Sequence, residues 1–275
     1  MVFKEVNEKT EKEPLTIVPF AAPRELEFCG EKVPLHDEGV LEKLDKELHV
    51  TTFRQSSMVL QIKRANRWFP IFDKVLSERE IPTDFKYLAA IESGLENVIS
   101  PSNAVGFWQF LKGTGKDYGL QISRNVDERY DPVKSAAAAA DYLADAKDRF
   151  GSWTNAAASY NMGQNGFRRQ LDWQKVESYY DMALNEETSR YVYRILAFKE
   201  IYENQHKYGF YIPDSTLYSP LKYQELEVAT TISDLAQVAI DNDITYSVLR
   251  RYNPWIRGRK LIVRPGKKYI LHIPI

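Results

Sequence analysis

The sequence predicts a mainly α fold followed by a small α+β unit, and three observations carry that prediction. Apolar residues recur at helical spacing from Val40 to about Tyr208. Asp131-Pro132, followed by the alanine run Ala136 to Ala140, marks a capped helix with proline in its first turn. Beyond Pro220 the pattern changes to two strand-like stretches enclosing two short helices. With 275 residues and 44% hydrophobic content, the chain is long enough for one large core and a smaller second one.

Residues 1 to about 40 mix charges with Pro14, Pro19, Pro23 and Pro34, without periodicity, which reads as an extended arm lying on the main domain. Leu41, Leu44 and Leu48 then share a helical face, and a second helix is predicted over Thr52 to Ala65. Arg67-Trp68-Phe69-Pro70 should break or kink it before Ile71, Phe72, Val75 and Leu76 resume the stripe. Pro82 and Asp84 suit a first turn, Phe85, Leu88, Ala89 and Leu95 a buried face, and Gly94 an end, so a helix should run through Glu92. The loop Gly94 to Gly106 should deliver Phe107-Trp108-Gln109-Phe110 into a short helix.

Further helices are expected from Asp131-Pro132 to Phe150-Gly151, over Trp153 to Tyr160, and through Ile195, Leu196, Phe198, Lys199 and Ile201 to about Tyr208-Gly209. Pro213 and Pro220 mark a linker. Leu226 to Ile232 and Tyr269 to Ile273 read as strands, Ser233 to Asn242 and Thr245 to Tyr252 as helices between them. The expected organisation is an arm and first helix over 1–50, a helical domain over 51–212, a linker over 213–224 and a strand-helix-helix-strand module over 225–275.

Charge and composition narrow the function. A net charge of -1 supplies no global attraction to nucleic acid or an anionic membrane, so nucleic acid is not expected as a partner. From Ile244 to Ile275 there are no acids, whereas Arg250, Arg251, Arg257, Arg259, Lys260, Arg264, Lys267 and Lys268 are basic; this is either a solvated face or a local anion-binding patch. Cys29 is the single cysteine, without an internal disulfide partner or a visible paired base, and suits a small packing residue. His36, His49, His206 and His272 lack ligand spacing, so neither a metal nor another cofactor is expected. No apolar run reaches the ~20 residues needed to cross a bilayer, and Met1 to Lys12 is charged and polar.

The chemistry centres on Ile91-Glu92-Ser93-Gly94. A carboxyl group at a helix end among Ile91, Leu95 and nearby aromatics is poorly solvated, which raises its pKa and keeps it protonated near neutral pH as a general acid. Taken alone, such a glutamate is more often a solvated surface residue. Gln109 can both donate to and accept from a sugar acetamido or hydroxyl group, or simply tie its loop to the helix. Tyr160 can hold the acid's carboxyl group or the substrate's acetamido group, or be an ordinary buried tyrosine; Asn161 can bind sugar or brace a left-handed turn.

Glu92-Ser93-Gly94, Ser100-Pro101, Ala104 to Phe110, Val126 to Arg129, Ala158 to Gly163 and Glu187 to Val192, in that order and spacing, resemble the soluble-lytic-transglycosylase-like family. These are lysozyme-like domains of glycoside hydrolase family 23 that cut bacterial peptidoglycan, and the chain is most similar to the membrane-bound type-D branch. The resemblance runs from about Thr52 to about Gly209 and implies a lysozyme-like helical domain. It implies Glu92 as the one catalytic acid/base, with Ser93, Gln109, Tyr160, Asn161 and Tyr191 contacting substrate, and Glu187 anchoring its segment. Glu96 should fall outside the cleft.

It further implies non-hydrolytic cleavage between N-acetylmuramic acid and N-acetylglucosamine, leaving 1,6-anhydromuramic ends. A lysozyme-type hydrolase would share the acid and the fold; a non-catalytic cell-wall-binding protein would keep the cleft and need no acid. The implied partner is the peptidoglycan glycan strand, met by a monomer in the periplasm or cell envelope, with an export signal or lipid anchor outside these 275 residues. The last 50 or so residues resemble a LysM module, a glycan-binding family, through Asn253-Pro254-Trp255 and the closing strand, whereas Ala229-Thr230-Thr231 replaces the usual Gly-Asp pair.

Overall fold

The computed structural model describes residues 19–275. Met1 to Val18, the first part of the arm expected over residues 1 to about 40, lie outside these residues. A short hairpin, β1 (Glu27–Phe28) and β2 (Glu31–Lys32), precedes helices α1 (Glu38–Phe53), α2 (Gln55–Ser77), α3 (Phe85–Ser93) and α4 (Lys112–Asp117). Then follow α5 (Pro132–Phe150), α6 (Trp153–Met162), α7 (Gln164–Gln174) and α8 (Glu186–Glu203). The chain ends with β3 (Tyr223–Val228), α9 (Leu235–Asp241), α10 (Tyr246–Tyr252) and β4 (Tyr269–Pro274). The fold is thus mainly helical with a small α+β terminus, as the periodicity predicts.

Helix α8 is the hub. It packs against α1, α3 and α6 through Tyr191, Val192, Ile195, Leu196 and Phe198, all buried. Ala89 and Ala90 on α3, and Ala157 and Ala158 on α6, are fully buried, and their small side chains leave room for neighbouring backbones to approach closely. Asp131 caps α5 by accepting from Val133 N (2.9 Å) and Lys134 N (3.0 Å), with Pro132 in the first turn where no N–H is needed.

The hairpin has a structural task that periodicity does not reveal. It carries Glu31 to the start of α6, where the carboxylate accepts from Trp153 N (2.6 Å) and Thr154 N (2.9 Å). A negative group on those free N–H donors favourably meets the positive end of the helix.

Pro70 does not break its helix. Helix α2 runs unbroken through it, because Phe69 and Phe72 on either side are buried. An interior proline costs roughly 3 kcal/mol, while each fully buried phenylalanine contributes about 1.5–3 kcal/mol, so packing outweighs the lost hydrogen bond. The actual break lies at Arg54, between α1 and α2.

The terminal unit has its own core, formed by Leu235, Leu249, Trp255, Ile256, Leu261, Leu271 and Ile273. Its strands pair antiparallel, with Leu226 opposite Leu271. The first strand covers Tyr223 to Val228 rather than Leu226 to Ile232; Ala229, Thr230 and Thr231 leave the ladder, and Ile232 pairs separately with Leu261. Val126 of the helical domain inserts into this second core. Asp127 N donates to Trp255 O and Arg257 N to Asn125 O, both at 2.8 Å, so backbone pairing fastens the module to the helical domain. The connecting segment is pinned as well: Tyr218 N donates to Lys63 O (3.1 Å), and Asn66 and Arg67 donate to Tyr218 O and Ser219 O.

Candidate functional site

Glu92 lies in the last turn of α3. Gly94 ends that helix in the left-handed region at φ +63°, and Leu95 follows at φ +60°. The chain therefore turns away immediately after the carboxylate. Glu96 lies beyond the helix end, lines two cavities beside this turn and is paired to Arg64 at 2.7 Å. Arg64 also donates to Gly94 O (3.1 Å), satisfying a carbonyl that the helix end leaves open.

The Glu92 carboxyl is half-buried, and desolvation pushes its pKa up to about 7. The Tyr191 hydroxyl, delivered by α8, donates to Glu92 Oε1, and this bond opposes the rise. The Arg194 guanidinium opposes it too, and the Glu187 carboxylate adds to it. Burial holds the Tyr191 and Tyr160 hydroxyls well above their ordinary value, so both remain protonated donors. The result is a carboxyl group that titrates near neutrality beside two neutral phenols.

The sequence-predicted residues divide in their geometry. Tyr191 bonds the acid directly, the task that the sequence reading considered for Tyr160. Tyr160, on α6, lies close enough for the Glu92 charge to raise its pKa, but its hydroxyl donates to Trp108 O (2.7 Å) and so fastens α6 to the loop. Gln109 donates through Nε2 to Gly106 O (2.7 Å) and Val98 O (3.2 Å); its amide nitrogen ties the loop, leaving the oxygen for other partners. Asn161 reaches Glu187 Oε1 at 3.5 Å. The Ser93 hydroxyl turns back to Ala89 O (3.1 Å) within the helix, and the residue lines a cavity of about 300 Å³ with Arg190 and Arg194.

Residues 107 to 110 do not enter a helix. They form a turn closed by pairing of Val105 with Phe110, and α4 starts only at Lys112. Gly106 explains this: at φ +86° a Cβ there would lie 2.0 Å from Arg129 O, so the chain crosses at a separation only glycine allows. Phe107 and Trp108 are buried beneath the turn, while Gln109 is held at φ +47°. Arg129, paired to Asp127 at 2.7 Å, donates to Phe110 O (3.1 Å) and braces the loop from behind.

Sequence reasoning missed Arg194. Its Nη2 donates to Ile91 O (3.2 Å), and its charge favours ionised Glu92. The available signal was its position three residues after Tyr191 on one helix, which places both on the same face. Among the described residues no group of three or more His, Cys, Asp or Glu side chains could hold a metal ion, and no helix is long and apolar enough to cross a membrane.

Residues 71–182 match the family described as the transglycosylase SLT domain, and residues 224–275 match the soluble lytic transglycosylase C-terminal LysM-like domain. The chain is 28% identical over 202 residues to membrane-bound lytic murein transglycosylase D of Escherichia coli K12, and equally so to that of Escherichia coli O6:H1. Each alignment covers 71% of this chain and 44% of the relative, so the chain spans less than half the length of these relatives.

Proposed function

From an SLT transglycosylase domain joined to a LysM-like module, we infer that the protein is a peptidoglycan lytic transglycosylase of the cell envelope. The observation that carries the reading is the Glu92 carboxyl, desolvated to a pKa of about 7 and held by Tyr191. A group poised there can give a proton and later take one back at the same pH, which a single acid/base requires.

In the proposed mechanism Glu92 protonates the oxygen linking N-acetylmuramic acid to N-acetylglucosamine. The substrate's acetamido group stabilises the oxocarbenium-like centre. The Glu92 carboxylate then removes the proton from the muramic C6 hydroxyl as that oxygen closes on C1, leaving a 1,6-anhydro end. Intramolecular closure has an entropic advantage over attack by water. Tyr191 keeps the carboxyl oriented and stabilises its ionised form between the two transfers. The Gln109 oxygen and Asn161 are available to the sugar, and Tyr160 holds the loop that presents Gln109. In this reading Ser93 shapes the turn, since its hydroxyl is engaged within α3.

The test is mass spectrometry of peptidoglycan digested with the protein and with Glu92→Gln. We expect 1,6-anhydromuropeptides from the first and none from the second. Reducing-end muropeptides would reassign the protein to hydrolysis. Retention on sedimented wall without any release would make it a binding protein.

A further inference from the structure

A cavity of about 870 Å³ lies between the helical domain and the module. Trp68, half-buried and backed by the buried Phe107 ring with centroids 4.7 Å apart, forms its wall on the helical side. Tyr252 and Trp255 face it from the end of α10 and the turn beyond, and Tyr223 stacks on His272 at 3.9 Å on the outer face of β3 and β4. Of these rings Trp68, Tyr223 and Tyr252 are half-buried, and they offer aromatic surface of the kind that packs against the C–H faces of sugars.

The charges around it do not cancel. Arg64 is matched by Glu96, and the Asp131 carboxylate is directed at the first turn of α5. Two guanidinium groups are left. Arg67 gives Nε to Ser219 O (2.9 Å) and lies 5.3 Å from the Tyr218 ring, with no carboxylate partner among the described residues. Arg251 is exposed, lies 5.7 Å from the Tyr252 ring and likewise has no carboxylate partner among them. It is the member of the basic terminal run that reaches this cavity.

Leu95 to Val98, which directly follow Glu92-Ser93-Gly94, form the wall nearest the acid. We propose that this cavity is a second binding site that takes a peptide-bearing disaccharide of the glycan strand, with stem-peptide carboxylates on Arg67 and Arg251 and a sugar face against Tyr252. A bare sugar would leave both guanidinium groups unmatched, and a bare peptide would leave the aromatic walls uncovered. A guanidinium-carboxylate pair supplies both charge and geometric selectivity. The assignment rests on the proposed function, because it takes its ligand from the same polymer.

The experiment titrates a disaccharide tetrapeptide, and separately its peptide-free disaccharide, into Glu92→Gln protein by calorimetry, while the His272 ring resonances are followed by nuclear magnetic resonance. Arg251→Glu and Arg67→Ala are then added singly to that background. Arg251 is exposed, so its variant tests the site without risk to folding. We expect about tenfold or greater weakening for the peptide-bearing ligand, no change for the peptide-free one, and loss of the His272 shift. Equal affinities across the variants, or a His272 signal that never moves, would overturn the site. Cleavage of glycan strands by the unsubstituted protein is assayed in parallel. If the unsubstituted protein cleaves no strand at all, the proposed function fails while the binding results remain readable.

Discussion

Glu92 and Glu96 stand four positions apart on either side of one turn, and their surroundings make them different chemical groups. Glu92 is desolvated, has a pKa near 7 and is bonded to a neutral phenol. The Glu96 side chain is about half exposed and paired to Arg64 at 2.7 Å, an arrangement that contributes little to stability in water. Gly94 and Leu95, both left-handed, separate the two environments within a few residues. A carboxylate's role here follows from what surrounds it, not from its place in the chain.

The sharpest way to break this comparison is to neutralise each acid in turn. Glu92→Gln should lower strand cleavage by about 10²–10⁴-fold, the range a positioned general acid contributes, as read by release of soluble muropeptides. Equal losses for Glu96→Gln would mean that the two environments do not divide the chemistry.

Stability should show the next largest difference. The folded pKa of Glu92, about 7, exceeds its ordinary value of 4.5, so the native state binds its proton more tightly than the unfolded chain does. Stabilisation from that proton is complete below about pH 4.5 and lost as the pH rises through about 7. At pH 8, Glu92→Gln should therefore stabilise the protein by up to about 3 kcal/mol, whereas Glu96→Gln should give no gain; thermal unfolding at pH 4 and pH 8 checks both.

Tyr191→Phe sharpens the contrast from the partner's side. Losing a hydrogen bond that orients the acid should cost about tenfold in kcat with little change in KM. It should also move the alkaline limb of the pH profile upward, because that bond favours the ionised carboxyl. Smaller limb shifts should follow from the neighbouring charges, upward for Arg194→Gln and downward for Glu187→Gln. The smallest effect belongs to Glu96→Gln, within about twofold in cleavage rate, as expected for an exposed ion pair.

Much of this was readable in advance where a local rule governs. Asp131-Pro132 marks the start of α5, Gly94 the end of α3, and the apolar spacing places Glu92 on a helix. Pro70 misled because its local cost is outweighed by the burial of Phe69 and Phe72, which only the packed domain supplies. Phe107 to Phe110 misled for the same kind of reason. Their turn is imposed by the crossing of Gly106 against Arg129, a contact between segments far apart in sequence.

The sequence alone determined the helical class, the module at the end and the helix that carries Glu92, because capping residues and apolar periodicity act through neighbours a few positions away, while the choice of Glu92 as candidate acid came from the family resemblance. Only the tertiary structure decided which hydroxyl meets that acid, that Arg194 stands near it, and that the module and the helical domain share a cavity lined by charged and aromatic residues. Those outcomes depend on how α8, α3 and the module pack. Desolvation and charge act through distance in space, which residue order does not specify.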